Sequence, residues 1–384
     1  MDLKKEIKLS DLVPKRRKPT GAKVGRPTKP RRSGKVELVG LKVGASQLAA
    51  SHVVNNGSAR LVGVARRSLE RGVVVGGELR DVPALTRALD ALFTEHKLPR
   101  RGVRLGLATN RIGVRAFDVD GISDERQLDN AIRFRAQEAV AIPVDQAVLD
   151  YHVVAESMDE AGNVSRRILL AAAYRESIDR YVEACRAAKI ELVGIDLEAF
   201  ALLRAVTPAV RAETDRPVAL VAVSLGHDRS TLAISDGVTC EFTRVLEWGG
   251  EKLESAIGVD LGLTPDEARE LLFEASLERD LDTGGDPRQA SARESIRREL
   301  QKLARELVAS LQFYQSQPGS LAISQILVSG GASRLPGLPE ELERLTRVSV
   351  RRADPLAHVQ AADEVRSRDD LASLAIAIGL GVEV

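Results

Sequence analysis

One stretch of the chain occurs twice, and this duplication constrains the fold more than any other feature. Val36-Glu-Leu-Val-Gly-Leu-Lys-Val-Gly44 aligns without a gap on Val218-Ala-Leu-Val-Ala-Val-Ser-Leu-Gly226. Each copy has the pattern of a buried strand that ends at a glycine. A second strand and a hairpin turn signal follow, Asn55-Asn56-Gly57 or Asp236-Gly237. Unless two valine- and leucine-rich strands are alike by chance, the repeat predicts two related lobes that face one another.

Helix and strand patterns alternate between and after the two copies. Strands are indicated at 103–108, 112–119, 148–155, 167–173 and 190–195, and helices at Leu85–Phe93, Leu128–Ala136 and 176–188. The longest helix carries apolar residues three and four positions apart from Ile296 to Tyr314, and Pro318-Gly319 ends it. Alternating strands and helices predict an α/β fold.

Length and composition narrow the class of protein. A chain of 384 residues is longer than one ordinary core requires, so we expect at least two packed units. The net charge of +1 gives no reason to expect a nucleic-acid partner. Cys185 and Cys240 lie in apolar patterns, which indicates small buried hydrophobic residues in a reducing compartment. No apolar run approaches the roughly 20 residues of a membrane-spanning helix, so a cytoplasmic protein is expected.

Residues 1–35 differ in composition from the rest of the chain. They hold thirteen Lys and Arg against three acidic residues, and four prolines break any helix beyond the first dozen residues. We expect a disordered, solvated basic tail. Attraction to an anionic membrane surface is the sharper alternative, at about 1 kcal/mol per basic residue. Gly25-Arg26-Pro27 is a weak match to a minor-groove hook, and DNA binding is not expected from it.

Three glycine-rich turns follow apolar strands. They are Gly44-Ala45-Ser46, Gly226-His227-Asp228 and Ser329-Gly330-Gly331-Ala332-Ser333. Glycine lets the backbone turn sharply and brings N–H groups close to a phosphate. In this order the turns resemble the phosphate-1, phosphate-2 and adenosine loops of actin-like ATPases, which suggests ATP as the cofactor.

The middle of the chain carries a more specific resemblance. Leu128-Asp-Asn-Ala-Ile-Arg-Phe-Arg-Ala-Gln-Glu138 is followed by Ala141-Ile-Pro-Val-Asp-Gln-Ala-Val-Leu-Asp-Tyr151. Together with Gly194–Arg204, Trp248-Gly-Gly-Glu-Lys-Leu253 and Val328–Leu338, this segment resembles the type IV pilus assembly protein PilM family. The resemblance covers roughly residues 36–384. It implies a two-lobed actin-like fold, a duplicated ribonuclease-H-like architecture with an inserted subdomain.

The resemblance also implies domain boundaries and a partner. The expected parts are a tail at 1–35, a first lobe at 36–120, an inserted subdomain at 121–195, an interlobe helix returning to the first lobe at 196–216, and a second lobe at 217–384 with its own insertion at about 251–320. Proteins of this family lie on the inner face of the cytoplasmic membrane and bind the short cytoplasmic tail of the membrane protein PilN. The strands at 148–155 and 167–173 are expected to offer that peptide an edge or a groove.

The expected chemistry is incomplete. The aspartates that hold Mg²⁺ beside both phosphate turns in the family are matched here by Lys42 and Ser224, and Ala49 and Ala309 stand where a lysine and an arginine are usual. Asp196 and Glu198 remain as weak catalytic candidates. Lys42 either contacts phosphate directly or pairs with Asp196 or Glu198, and at close range it would repel Mg²⁺. The candidate nucleotide-binding residues are Lys42, Gly44, Ala45, Ser46, Gly226, His227, Gly249, Gly250, Gly330, Gly331 and Ser333.

These features favour one function over another. A scaffold of a pilus-type assembly platform that binds a PilN-like tail, with weak or lost ATP binding and no Mg²⁺, fits the departures best. An active actin-like ATPase or a sugar-kinase-like phosphotransferase is the alternative. Self-association into a homo-oligomer is left open by the sequence.

Overall fold

The two copies of the repeat lie at the centres of two separate sheets. This computed structural model describes residues 35–122, 124–158, 164–207, 217–278, 287–368 and 370–383. In the first copy β1 (Val36–Val43) pairs antiparallel with β2 (Gln47–Asn55). In the second copy β11 (Val218–Leu225) pairs antiparallel with β12 (Ser230–Ser235). The two strand-and-turn units predicted from the repeat are therefore confirmed.

The two sheets also share one strand order. The first adds β3 (Ala59–Ser68), β6 (Val103–Leu107), β10 (Leu192–Leu197) and β16 (Val359–Ala361), and the second adds β13 (Cys240–Leu246), β14 (Ala322–Ser329) and β15 (Val350–Arg352). The orders are β10-β6-β1-β2-β3-β16 and β15-β14-β11-β12-β13. In each sheet two successive antiparallel pairings lie on one side of the repeat strand and two successive parallel pairings on the other. This shared order is that of a duplicated α/β lobe.

Helices bury the outer faces of both sheets. They are α1 (Val82–Glu95) and α3 (Arg175–Ala187) on the first sheet, and α5 (Gly250–Leu261), α6 (Pro265–Glu274), α7 (Pro287–Gln315) and α8 (Leu338–Thr346) on the second. The predicted apolar stripe of α7 is confirmed, since every residue of the stripe from Ile296 to Tyr314 is buried. Asp81 caps α1 by accepting a hydrogen bond from Ala84 N at 2.8 Å. The helix pattern therefore gives each lobe its own core.

Two short helices, α4 (Glu198–Val206) and α10 (Ala375–Gly381), lie between the sheets. A Cβ on Gly379 would lie 1.8 Å from the carbonyl oxygen of Ala201, so only glycine allows the helices to pack this closely. We predicted that 217–384 form the second lobe. The sheet pairing differs, because β16 pairs with β3 and α10 packs its apolar residues on the first sheet. A helix as apolar as α10 must be covered on all sides, and the space between the sheets provides that cover.

A third sheet forms the inserted subdomain. It consists of β7 (Ile112–Asp120), β9 (Val164–Tyr174) and β8 (Ala147–Met158), in that order, with α2 (Glu125–Ala139) on one face. Of the two strands predicted to offer an edge or a groove, 148–155 lies in the outer strand β8, whereas 167–173 lies in the central strand β9 and has no free edge. The insert also begins earlier than the predicted residue 121, and α3 and β10 pack with the first lobe.

A small hairpin completes the first lobe, and α9 (Asp363–Arg366) lies near the end of the chain. The hairpin consists of β4 (Val74–Val75) and β5 (Glu78–Leu79), with Gly76 and Gly77 at its tip. The part of the chain that the structure describes contains no helix long and apolar enough to cross a membrane. Nearly all of the tail, residues 1–34, lies outside the described residues.

Candidate nucleotide cleft and its ion pairs

The first two glycine turns have the same backbone geometry. Gly44 N donates to Gln47 O at 3.0 Å, and Gly226 N donates to Arg229 O at 3.1 Å. Lys42 and Ser224 consequently occupy matched positions, two residues before the turn, opposite Ala49 and Thr231 respectively. The repeat thus preserves the turn while the side chains beside it differ in charge.

The third turn lies directly against the second lobe's repeat strand. A Cβ on Gly330 would lie 2.3 Å from Leu225 O, and Gly330 has a φ of +89°, so this position requires glycine. Gly331 begins a short 3₁₀ turn that contains Ser333. The Ser333 side chain is fully buried and its hydroxyl donates to Gly330 O at 2.7 Å. Ser333 therefore stabilises the turn rather than facing the cleft.

Gly249 and Gly250 connect the second turn to α5. Gly250 N donates to Gly226 O and Glu251 N donates to His227 O, both at 2.9 Å. A Cβ on Gly249 would lie 2.1 Å from His227 O. The amides at the start of this helix, which are common anion donors, are thus hydrogen-bonded to carbonyls of the second turn.

Lys42 is ion-paired inside the cleft. Its Nζ lies 3.6 Å from Glu198 Oε2, and the two side chains are 17% and 4% exposed. Glu198 is the first residue of α4, where a carboxylate is also favoured by the helix dipole. The sequence left two roles open for Lys42, contact with phosphate or pairing with a carboxylate. The structure shows Lys42 paired with a carboxylate, and its partner is Glu198 rather than Asp196.

Asp196 is held by a second cation. Its Oδ1 accepts a hydrogen bond from Leu197 N at 2.7 Å, and its Oδ2 forms a close ion pair with Arg204. Arg204 also donates through Nε to Gly379 O at 2.9 Å, near the end of α10. This buried carboxylate is therefore part of the attachment of the last helix to the first lobe.

A second arginine completes that attachment. Arg104 lies within the otherwise apolar strand β6 and donates through Nη1 to Leu380 O at 3.1 Å and to Val382 O at 2.8 Å. Burial, with repulsion from Arg204, lowers the pKa of Arg104 to about 10, so it stays charged at neutral pH. Two arginines thus bind the carbonyl end of α10, which the helix dipole makes negative.

The described residues contain no group of three His, Cys, Asp or Glu that a metal ion could share. Both carboxylates of the predicted site have cationic partners. A cavity of about 370 Å³ does lie between the lobes, yet none of the glycine turns lines it. Its polar lining comes from the β6–β7 turn, from β12, from β13 and the residue after it, and from α7: Thr109, Asn110, Thr231, Thr243, Arg244, Glu247 and Glu306.

Sequence reasoning missed several residues that this geometry depends on. Arg204 and Arg104 were not singled out, and neither were the hairpin glycines Gly76 and Gly77 or Arg229. An arginine between Val103 and Leu105 in a buried strand is a signal that it has a specific partner, and it was available in the sequence. The contacts of Arg204 with Gly379 and of Asp228 with Gly76 join residues far apart in the chain and have no local pattern.

Comparison with known proteins agrees with the fold. A structure described as the PilM-PilN type IV pilus biogenesis complex superposes with a TM-score of 0.74 at 24% identity, over 90% of this chain and 98% of the other. MreB 5 of Spiroplasma citri bound to AMPPNP superposes with a TM-score of 0.52 at 12% identity, over 90% and 94%. The cell division protein FtsA of Pseudomonas aeruginosa is 26% identical over 376 residues, covering 87% of each chain.

Two lobes of one strand order, joined by two buried helices and carrying matched glycine turns, define an actin-like protein. The family model described as type IV pilus assembly protein PilM matches residues 40–384. The chain belongs to this PilM family, as the central segment of the sequence indicated.

Proposed function

We propose that this chain is an actin-like scaffold of a type IV pilus-type assembly platform, which binds the extended cytoplasmic tail of a PilN-like inner-membrane protein. Its membership of the PilM family supports the assembly role. The observation that carries the binding role is a half-buried strip along the outer strand of the inserted subdomain.

The strip lies on the face of the insert turned away from α2. Ala171 of the central strand packs on this face against Leu197, with Ile112, Val114 and Phe200 beside them, so this part is covered by the first lobe. Further out, the residues of β8 on the same face are half-buried: Val148, Asp150 and His152. A half-buried strip beside a lobe boundary, with Val148 as its apolar residue, is the kind of surface that anchors an extended peptide.

The chemistry of the strip limits how a peptide binds. Asp150 Oδ1 accepts a hydrogen bond from Tyr151 N at 2.8 Å, so a side chain already engages one amide in the middle of β8. Burial lowers the pKa of His152 below its usual value, which keeps the ring neutral at pH 7. We expect apolar anchors of the peptide to contact the strip, rather than uninterrupted pairing along the strand edge.

Nucleotide binding is proposed to be weak or lost. The aspartates that organise Mg²⁺ are replaced by Lys42 and Ser224, and Asp196 and Glu198 are held by Arg204 and Lys42. A cation at position 42 opposes a divalent metal at close range. The residues present do not fit a magnesium-bound nucleotide, and we derive no hydrolytic step from them.

The proposed location is the cytoplasmic face of the inner membrane, with attachment through the partner tail. The basic residues of 1–35 are proposed to add attraction to anionic lipid. Neither self-association nor binding to nucleic acid is part of the proposal.

The test is a binding experiment with matched variants. An array of amino-terminal cytoplasmic tails of single-span inner-membrane proteins is probed with the full chain, and hits are measured by fluorescence anisotropy. We expect micromolar affinity and a loss of about tenfold in Val148→Asp, because the anchor is removed. Val238→Asp, at an exposed valine of the second lobe, is the control and should bind like the parent chain.

A chain lacking 112–174, which removes the three strands of the insert and α2 but keeps α3 and β10 of the first lobe, should bind none of the tails. Equal binding by the full chain, Val148→Asp and the deletion would remove the proposed role, as would binding by none of them. Melting temperatures of all variants establish that each one is folded.

A further inference from the structure

The second glycine turn contacts the first lobe directly. Asp228 Oδ2 accepts a hydrogen bond from Gly76 N at 3.2 Å, across the cleft between the lobes. Gly76 and Gly77 form the tip of the β4–β5 hairpin, and Tyr181 of α3 supports that tip by donating its hydroxyl to Gly77 O at 3.1 Å. The second glycine turn therefore contacts a first-lobe hairpin whose tip is held in place by α3 of the first lobe.

The contact is too close for any residue but glycine at position 77. Gly77 has a φ of +80°, which disfavours other residues. A Cβ there would lie 2.0 Å from Ala108 O and 2.9 Å from Nη1 of Arg229. The hairpin tip is thus enclosed by the β6–β7 turn on one side and by an arginine of the second lobe on the other.

Burial of Arg229 indicates that this contact belongs to a closed cleft. Arg229 is only 9% exposed, and its Nη1 lies 3.2 Å from Asp228 Oδ2. Burying a guanidinium costs free energy unless a partner offsets its charge. Here Asp228 of the second lobe offsets the charge, and Gly77 of the first lobe covers the side chain. Separating the lobes would return this side chain to water.

Two further polar contacts join the lobes on the flank of the inserted subdomain. Asn110 Nδ2 donates to Glu247 Oε1 at 2.8 Å, and Arg167 Nη2 lies 3.9 Å from Glu241 Oε2. These contacts involve more exposed side chains, so we expect them to contribute less than the contact at Gly76 and Gly77.

We propose that Asp228 and Arg229, seated on Gly76 and Gly77, form a latch that holds the two lobes closed without a nucleotide. The second glycine turn, which resembles the phosphate-2 loop of actin-like ATPases, then holds the lobes together instead of binding phosphate. Side chains of this turn bridge the lobes where, in an actin-like ATPase, the phosphates of a bound nucleotide lie between the glycine turns. The latch sets the resting state of the scaffold independently of whether ATP is present.

The test measures the distance between the lobes in the full chain. Spin labels are attached at Val62→Cys in the first lobe and Val259→Cys in the second, both at exposed valines. Burial raises the pKa of Cys185 and of Cys240 to about 12, so the native thiols do not compete for label. Pulsed dipolar spectroscopy then gives the distribution of interlobe distances.

We expect one narrow distribution in the parent chain, unchanged by ATP with Mg²⁺. Asp228→Ala combined with Arg229→Ala should shift it to longer distances and broaden it. Glu341→Ala combined with Arg344→Ala removes an ion pair within α8 of the same lobe, away from the cleft, and should leave the distribution unchanged. Asp228→Asn, which keeps the size of the side chain, serves as a milder variant should the double variant fail to fold.

A parent-like distribution in the folded Asp228 and Arg229 variants would overturn the latch. Narrowing of the parent distribution by ATP with Mg²⁺ would also overturn it, because closure would then depend on the nucleotide.

Discussion

The two glycine turns of the repeat have one backbone conformation and opposite surroundings. The first turn is braced within its own lobe: Arg66 Nε donates to Gln47 Oε1 at 3.2 Å, and Arg66 Nη1 to Asp370 Oδ2 at 2.8 Å. The second turn contacts the other lobe through Asp228. Two residues before each turn, the first copy has a buried ion pair and the second has an uncharged serine.

This difference separates what the fold requires from what nucleotide chemistry requires. The hairpin and its glycine persist in both copies because the backbone must reverse in four residues. The carboxylates persist in neither copy. The charges near the cleft instead pair with one another: Lys42 with Glu198 joins β1 to α4, and Arg204 joins Asp196 to the end of α10.

The largest effect on the free energy of unfolding is expected at the buried ion pair between Arg204 and Asp196. Arg204→Met leaves the buried Asp196 carboxylate without its cationic partner and removes the side-chain donor to Gly379 O. We expect a loss of about 3 kcal/mol in the free energy of unfolding, because an unpaired buried charge remains. Arg67→Met, which removes a pair with Glu95 whose side chains are 40% and 59% exposed, is the control and should cost less than about 1 kcal/mol. Urea denaturation measures both, and equal losses would contradict the buried network.

Matched substitutions at the repeat positions sharpen the comparison directly. Lys42→Met should cost about 2 kcal/mol, less than a fully enclosed pair because Lys42 is partly exposed. Ser224→Ala, at the same place in the second copy, should cost less than about 1 kcal/mol. The same denaturation experiment decides this prediction. A larger loss for Ser224→Ala than for Lys42→Met would show that the ion pair is not what distinguishes the copies.

The brace of the first turn makes stability depend on pH. Hydrogen bonds from Arg368 and Arg66 hold the pKa of Asp370 well below its usual range. A depressed folded pKa gives stability that is present above about pH 4 and is lost as the pH falls further. Asp370→Asn should therefore be less stable than the parent chain at pH 7, and the difference should shrink by pH 3. A constant difference between those two pH values would contradict the assignment.

The smallest effect on the fold is expected from the tail. Removal of residues 1–35 should leave the melting temperature unchanged, since the lobes are built from later residues. Co-sedimentation with anionic vesicles should weaken at low salt and differ little at high salt, where charges are screened. Unchanged sedimentation at low salt would contradict the proposed attraction, and a lowered melting temperature would show that the tail supports a lobe.

Much of the fold was predictable because it rests on periodic patterns. The repeat predicted two related lobes, apolar stripes predicted the helices, and glycines after strands predicted the turns. The contacts of the cleft were not predictable in the same way. Asp228 meets Gly76 across 152 positions of sequence, and Arg104 meets Leu380 across 276. Such pairs have no spacing to detect, and β16, three residues long, has too short a pattern to assign to a sheet.

The choice of partner for Lys42 shows the same limit. The sequence indicated that Asp196 and Glu198 lie near Lys42, but it did not indicate which of the two side chains points toward Lys42. Strand alternation alone would place the side chains of Asp196 and Glu198 on the same face of β10. Glu198 is instead the first residue of α4, so the direction of its side chain is known only once the boundary between β10 and α4 is known. The segment with the most specific family resemblance proved to be the insert, whose sheet order no local pattern reveals.

ATP turnover by the purified full chain with Mg²⁺ distinguishes cleft charges that pair with one another from cleft charges that organise a metal. If Lys42 and Glu198 serve each other, the rate is no greater than that of the buffer control, with and without Mg²⁺. A rate that requires Mg²⁺ and disappears in Glu198→Gln would contradict this expectation, because Glu198 would then act on the nucleotide rather than on Lys42.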